Sequence, residues 1–327
     1  MNMKLMCLVC IIGGFLCVGI VNSALAKEDD YPVRPIELVV AFGPGGATEL
    51  GAKAVADGLS RFIGQPVITV TKAGAGGTIA ASYVARSKPD GYTLFNINSG
   101  SNAVAPAVQK VRYKNADFDV LAQFGSLILY LVVKGDAPWK TVRELVDYAK
   151  KNPGELKYGS SGIGSSGCLA NELLKDVGGK LKIDHVPFKS TPEYLAALLG
   201  GHIHMVMCSE TIIKGLLEAG KLRALAVTAD KRIEKFPAVP TFAEEGFPEL
   251  KFTMWYGVAA PAGLPATVSK KLKEALYKSI QSPEVKKQLI NLDYIFTFRD
   301  AEEFTKFSRG EEERMRTIVQ EAGIKIE

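Results

Sequence analysis

The sequence predicts an α/β chain organised as two lobes, each a mostly parallel sheet flanked by helices. Three observations carry that expectation. Short apolar runs alternate with stretches whose apolar residues recur at helical spacing. Glycine-rich loops join several runs to the helices that follow them. The chain also has 327 residues, too many for one small core and comfortable for two.

Taken in order, the chain opens with Lys4, an apolar stretch from Leu5 to Val21, and the small-residue site Ala24-Leu25-Ala26. This is the pattern of a secretory signal peptide over 1–26, with Lys27 beginning the mature chain. Ile36 to Phe42 is a nearly continuous apolar run, followed by Gly43-Pro44-Gly45-Gly46 and then by Leu50, Ala54, Val55, Leu59 and Phe62 at helical spacing. That reads as strand, loop and helix, and it recurs from 66–70 through Gly74-Ala75-Gly76-Gly77 and from 92–98 through Ser99-Gly100-Ser101.

Leu127 to Val133 is a further buried strand, too short for the roughly 18 apolar residues of a membrane span. A second series begins at Thr141-Val142-Arg143-Glu144, which fits a capping box. Strands are expected at 156–161, 185–188, 202–208 and 222–228, with helices at 165–177, 192–199 and 210–219. The proline-rich segment 236–250 reads as an excursion; a strand from Phe252, two helices and a charged amphipathic helix near 301–322 follow. Periodicity leaves open which lobe receives this last part.

With 40 Lys and Arg against 35 Asp and Glu, the net charge is +5, or +4 without Lys4, and no dense basic block occurs. Nucleic acid is therefore not an expected partner, while anionic small molecules are weakly favoured. Cys7, Cys10 and Cys17 fall in the leader, which leaves Cys168 and Cys208. Whether these are two buried thiols or one disulfide stays open.

Two loops carry the candidate chemistry. Gly162, Gly164 and Gly167 match G-x-G-x-x-G, with Asp184 17 residues further on, as in a dinucleotide fingerprint. The same backbone geometry holds any anion at a helix N-terminus, and in an exported chain a cytoplasmic nicotinamide cofactor is out of place. Gly43-Pro44-Gly45-Gly46-Ala47-Thr48 offers a second such site, and Ala52 between Gly51 and Lys53 rules out a P-loop. Catalytic patterns are thin. Ser160, Ser161, Ser165 and Ser166 lack a nucleophile elbow, and His202 and His204, expected on one face of a strand, lack a third ligand for a metal. No enzyme activity, cofactor or metal is expected.

At these residues the chain resembles the substrate-binding receptors of the tripartite tricarboxylate transporters, the Bug receptors. The resemblance rests on YPVRPIELVVAFGPGGATE, PVITVTKAGAGGTIAASYVARSKPDGYTL, GSSGIGSSGCLANEL, HVPFKSTPEYLAALLGGHI, AGKLRALAVTADKR, VPTFAEEGFPE and WYGVAAPAGLP. It implies a hinged periplasmic binding protein fold with a ligand cleft between the lobes. The first lobe would span 27–130, the second 131–252, and 253–327 would return to the first. The ligand carboxylate would lie between the two loops, held by Gly45, Gly46, Ala47 and Thr48 on one side and Gly164, Ser165 and Ser166 on the other, with Ser99 and Ser101 close by. The expected partners are a small-molecule carboxylate and a membrane permease, with the receptor itself a monomer; a signalling protein in place of the permease is the alternative.

Three departures from the family pattern fall near the cleft. Glu49 follows Thr48 where relatives usually have aspartate, Cys168 stands in place of a common histidine, and Cys208 in place of a common aspartate. The missing aspartate disfavours an amino-acid ligand and favours a larger or more apolar carboxylate. Cys168 and Cys208 join the expected site, and a bridge between them needs Cα atoms within about 7 Å.

Overall fold

The computed structural model describes residues 31–324; the expected signal peptide lies outside the described residues. The chain first lays down β1 (Ile36–Val40), α1 (Ala47–Ile63), β2 (Val67–Thr71), α2 (Thr78–Ala85) and β3 (Thr93–Phe95). A π-type turn over Gly100–Val104 leads into the short α3 (Ala105–Val108), and the long β4 (Phe118–Ile128) follows. Next come β5 (Tyr130–Lys134), α4 (Val142–Lys151), β6 (Lys157–Ser160), α5 (Ser166–Val177), β7 (Asp184–Pro187), α6 (Thr191–Leu199), β8 (Met205–Cys208), α7 (Glu210–Glu218) and β9 (Leu222–Val227). After a turn-rich excursion the chain forms β10 (Thr253–Pro261), α8 (Ala266–Gln281), α9 (Pro283–Asn291), β11 (Ile295–Arg299) and α10 (Ala301–Glu321).

These strands make two sheets, in the orders β11-β4-β10-β3-β1-β2 and β7-β6-β8-β5-β9. The strand–helix–strand units give the parallel pairs: β1 with β2 and β3, and β6 with β7 and β8. Antiparallel pairs arise where the chain passes between the sheets or returns: β10 lies against β3 and β4, β11 against β4, and β5 against β8 and β9. Each sheet is thus mixed, with its parallel part next to the loops described below.

The apolar run 127–133, expected as one strand, is the end of one and the start of another. Ile128 closes β4 in the first sheet and Tyr130 opens β5 in the second, with Leu129 alone between them. The second crossing is tied to the first there: Leu129 N donates to Thr228 Oγ1 at 3.0 Å, Thr228 N to the Leu129 carbonyl at 2.9 Å, and the Thr228 hydroxyl to the Phe252 carbonyl at 2.7 Å.

Alternation along the strands sorts the core. Met205 and Met207 face the cluster that holds Leu169, Leu173 and Leu174 of α5, while Val206 and Cys208 face the cluster that holds Tyr194, Leu195 and Leu198 of α6. Fully burying each such aliphatic side chain contributes about 1.5–3 kcal/mol. On α4, Val142, Leu145, Val146 and Ala149 form the buried stripe, and Thr141 Oγ1 accepts from Glu144 N at 3.1 Å. Only half of the capping box forms, because the Glu144 carboxylate takes Lys140 N at 2.6 Å instead of the cap residue's own amide. His202 and His204 precede β8 in a turn, not in the strand, and His204 Nδ1 accepts from Lys157 N at 3.0 Å.

Candidate functional site

Where the two sheets face each other, a cavity is lined by Phe42, Gly43, Gly46, Ala47, Thr48, Asn98, Ser99, Leu129, Ser161, Ser165, Ser166, Gly167, Thr191, Tyr194, Met207, Cys208, Ser209, Met254 and Tyr256. It offers about 60 Å³ to the centres of water-sized spheres, where a single water needs roughly 10–15 Å³ by that measure. No Lys, Arg, Asp, Glu or His is among the lining residues.

Four helices begin at this cavity. Gly46, Ala47 and Thr48 belong to the start of α1, Ser165, Ser166 and Gly167 to α5, Thr191 to α6, and Ser209 to α7. Each start leaves backbone N–H groups without intrahelical acceptors, and the helix dipoles add positive potential. At three of the four starts no side chain caps those amides. The N-cap of α1 is Gly46, which has no side chain to cap with, and Ser190 and Ser209 make no side-chain cap at α6 and α7. On α5, Ser165 Oγ accepts from Cys168 N at 3.3 Å and so keeps its O–H hydrogen free for the cavity.

The two halves touch across the cavity. Ser99 Oγ and Ser166 Oγ share a hydrogen bond at 3.1 Å, Gly43 N donates to the Lys189 carbonyl at 3.2 Å, and Gln109 Nε2 donates to the Ile163 carbonyl at 3.2 Å. Close approach here requires glycine: a Cβ on Gly76, at φ 63°, would run into the Ile163 carbonyl oxygen. Tyr256 closes the wall from β10. Burial pushes its phenol up to about 12, with the Thr48 side chain pulling the other way, so it is neutral.

The expected site residues divide accordingly. Gly46, Ala47, Thr48, Ser99, Ser165, Ser166 and Cys208 line the cavity. Gly45 stands behind the loop at φ 78°, its N–H 3.4 Å from Glu49 Oε2. Gly164, at φ 86°, packs against Ala105 and Gln109 of the other half. The Ser101 hydroxyl is turned inward onto Asn102 Oδ1 at 2.7 Å. Cys168 is wholly buried, its Sγ 3.4 Å from the Tyr158 hydroxyl, and burial raises its thiol to about 11. Glu49, one methylene longer than the family's aspartate, turns away from the cavity to pair with Lys53.

A Cys168–Cys208 bridge does not exist; both are free thiols. The reason is the pleat: Cys208 points to the α6 face of the second sheet, and Cys168 lies in the cluster on the α5 face. The dinucleotide reading fails on position. Asp184 pairs with Lys157 at the start of β6, the opposite end of the sheet from the loop that follows Ser160, and Gly164 is covered by the other half of the molecule.

Sequence reasoning missed Asn98, Thr191, Tyr194, Ser209, Met254 and Tyr256. Thr191 and Ser209 did have a signal, since each sits at a predicted helix start. Tyr256 and Met254 had none, because they reach the cavity only through the return of β10 to the first sheet.

The profile described as "Tripartite tricarboxylate transporter family receptor" matches residues 52–324. The chain belongs to this receptor family. A relative from Cupriavidus necator, named as the UPF0065 protein in the gbd 5' region, is 33% identical over 302 residues, covering 92% of this receptor and 91% of the relative. Among solved structures, periplasmic binding protein BugD superposes with a TM-score of 0.85 at 28% identity, covering 90% of this receptor and 99% of that chain. Rhodopseudomonas palustris MatC with bound malate gives 0.84 at 28% identity, covering 88% and 100%. R. palustris Rpa4515 with adipate gives 0.84 at 33% identity, covering 90% and 99%. The receptor thus has the two-lobe periplasmic binding protein fold.

Proposed function

We propose that this receptor works in the periplasm, capturing a small organic carboxylate between its lobes and delivering it to the membrane permease of a tripartite tricarboxylate-type transporter. One lobe comprises the residues up to about 130 and those after 252, and the other lies between them. The observation that carries the reading is a cavity shared by both lobes, with four helix starts and several hydroxyls turned into it and no charged side chain on its wall. Such a wall suits an anion held by backbone amides and O–H donors, each charge-assisted bond contributing about 1.5–3 kcal/mol. Bound malate and adipate in two similar receptors support the same class of ligand.

The work done is capture, not turnover. The Ser99–Ser166, Gly43–Lys189 and Gln109–Ile163 contacts join the lobes in this structure and would be lost if the lobes parted. A ligand that touches both lobes therefore draws the population toward the shut form by its differential affinity. The permease would read that form.

A thermal-shift screen of small carboxylates tests this reading, because a ligand specific for the folded state raises the melting temperature by mass action. At 100 times Kd the gain is about 2.7 kcal/mol. A shift with one or more small acids and none with dinucleotides is expected. A shift with dinucleotides alone would overturn the assignment.

A further inference from the structure

We propose that the turn joining α9 to β11 couples the grip on the ligand to the closing of the cleft: Asp293 in that turn latches onto Lys235 of the opposite half, and Tyr294 beside it positions the α1 cradle. The proposal rests on the carboxylate reading of the site and adds the residues that keep the ligand in.

The turn is built by the way α9 ends. Asp293 N donates to the Ile290 carbonyl and Tyr294 N to the Leu289 carbonyl, each at 3.0 Å, the paired bonds of a Schellman motif. The motif needs a left-handed residue, usually glycine, and here that residue is Asp293 at φ 61°. The cost of an aspartate over a glycine in this conformation points to a use for its side chain. That side chain is 5% exposed and forms an ion pair with Lys235 Nζ. Lys235 follows β9 in the turn-rich excursion, where the neighbouring Phe236 packs edge-on against Tyr130 of β5. The pair therefore runs from the half built on the first sheet, which holds β11, to the half built on the second, which holds β5.

A second contact makes the same crossing. The Thr211 hydroxyl, in the first turn of α7, donates to the Leu292 carbonyl at 2.6 Å. That carbonyl lies at the end of α9, where carbonyls lack intrahelical partners, so the negative end of α9 meets the positive end of α7. Glu210 leaves the crossing to Asp293: its carboxylate accepts from the Tyr130 hydroxyl at 2.7 Å, lies 3.9 Å from Lys235 Nζ, farther than Asp293, and has Lys214 as another cation nearby. On its other side the turn reaches the ligand site. The Tyr294 hydroxyl donates to the Ala47 carbonyl at 2.9 Å, and its ring centroid lies 5.3 Å from that of Tyr256. Ala47 and Tyr256 both line the cavity. A parting of the halves here would break the ion pair and the Thr211 bond beside the residue that supports the cradle, and a ligand that holds the halves together keeps both.

Calorimetric titration and stopped-flow release of the carboxylate found by the screen test the inference. Asp293→Asn keeps a side chain that tolerates the left-handed conformation and removes the charge. It and Lys235→Met are each expected to weaken binding about tenfold, chiefly through faster release, and the double variant to be no weaker than either alone. The gap between wild type and Asp293→Asn should narrow as ionic strength rises from about 0.05 M to about 0.5 M, because salt screens a pair whose lysine is half exposed. Thr211→Val, which removes only the hydroxyl, is expected to cost several-fold. Lys134→Met, which takes away a cation paired with Asp136 of its own half, should leave release unchanged. Should Asp293→Asn fold poorly, Lys235→Met carries the test. Equal affinity in wild type and in every latch variant shown to be folded by its thermal melt overturns the inference while leaving the carboxylate site standing, and so do single-variant losses that add in full in the double. If no carboxylate binds, the carboxylate reading falls and takes this one with it.

Discussion

The loop before α1 and the loop before α5 start from the same design, a strand running into glycines and then a helix, and they end with different duties. The first meets the opposite lobe through the Gly43 N–H on the Lys189 carbonyl, and it is also braced from within its own lobe. Glu49 reaches back to the Gly45 amide, Lys53 neutralises Glu49, and the Tyr294 hydroxyl donates to the Ala47 carbonyl at 2.9 Å. The second is held mainly from across the cleft. Ser161 and Ser165 line the cavity, while Ile163 and Gly164 press on Gly76, Ala105 and Gln109 of the opposite lobe. Glycine content alone does not separate an anchored cradle from a clamp; the neighbours of the glycines do.

The largest test of that contrast is Gly76→Ala. The new Cβ meets the Ile163 carbonyl oxygen, a backbone atom that cannot rotate aside, and alanine is also strained at φ 63°. Penalising the shut state by about 2.7 kcal/mol weakens binding about 100-fold, and titration of the ligand identified by the screen should show a loss of that order. Gly64→Ala shares the positive φ, at 79°, but has nothing within 4 Å of the added Cβ. It should cost some stability and leave affinity nearly unchanged. Equal affinity losses in both variants would sink the clamp interpretation.

Acidification should separate the loops next. All three histidines, His185, His202 and His204, lie in the second lobe. His185 Nε2 is 2.7 Å from Ser160 Oγ, which accepts from Gly162 N at 3.1 Å and so braces the clamp loop. Burial holds His185 below its ordinary value, with Lys175 acting in the same direction and Glu172 against it; burial also lowers His204. With the folded pKa depressed, the unfolded chain binds more protons as pH falls through about 6.5 and below, so stability declines over that window. Hydrogen exchange at pH 7.5 and 5.5 should show protection lost around 161–165 and retained around 43–47, with His185→Gln weakening the difference. Equal loss in both loops would count against a local brace.

The smallest expected effect is that of Thr48→Ala. If amides dominate the grip on the first side, removing this hydroxyl should weaken binding by no more than several-fold, consistent with roughly 0.5–1.5 kcal/mol for one neutral hydrogen bond. A loss beyond 100-fold would move the first loop from cradle to principal anchor.

Much of this architecture can be read from the residues. Strand runs such as 36–42 and helix starts such as Thr141 and Ser165 follow from local pattern, because burial periodicity and cap chemistry are local. The long β4 was hidden because Gln123, Gly125 and Ser126 interrupt its apolar run, although they are buried. The short β11 escaped for another reason: it is an edge strand with little burial. Site residues in the two loops were legible as glycine and hydroxyl runs, but Tyr256 and Tyr194 are ordinary core-type aromatics until the lobes meet. The cysteines show the limit most directly, since nearness of elements says nothing about which face of the pleat a side chain takes.

Leu129 is at once the lone residue between the sheets, a hydrogen-bonded neighbour of the second crossing, and part of the cavity wall. In the proposed capture, the cargo would rest on the axle of the jaws. A rotation of the lobes about that point would scarcely move the atoms nearest the pivot, while atoms farther out would swing through a longer arc. Gripping chemistry and mechanical gain would then be set at different radii, and either could change without rebuilding the other.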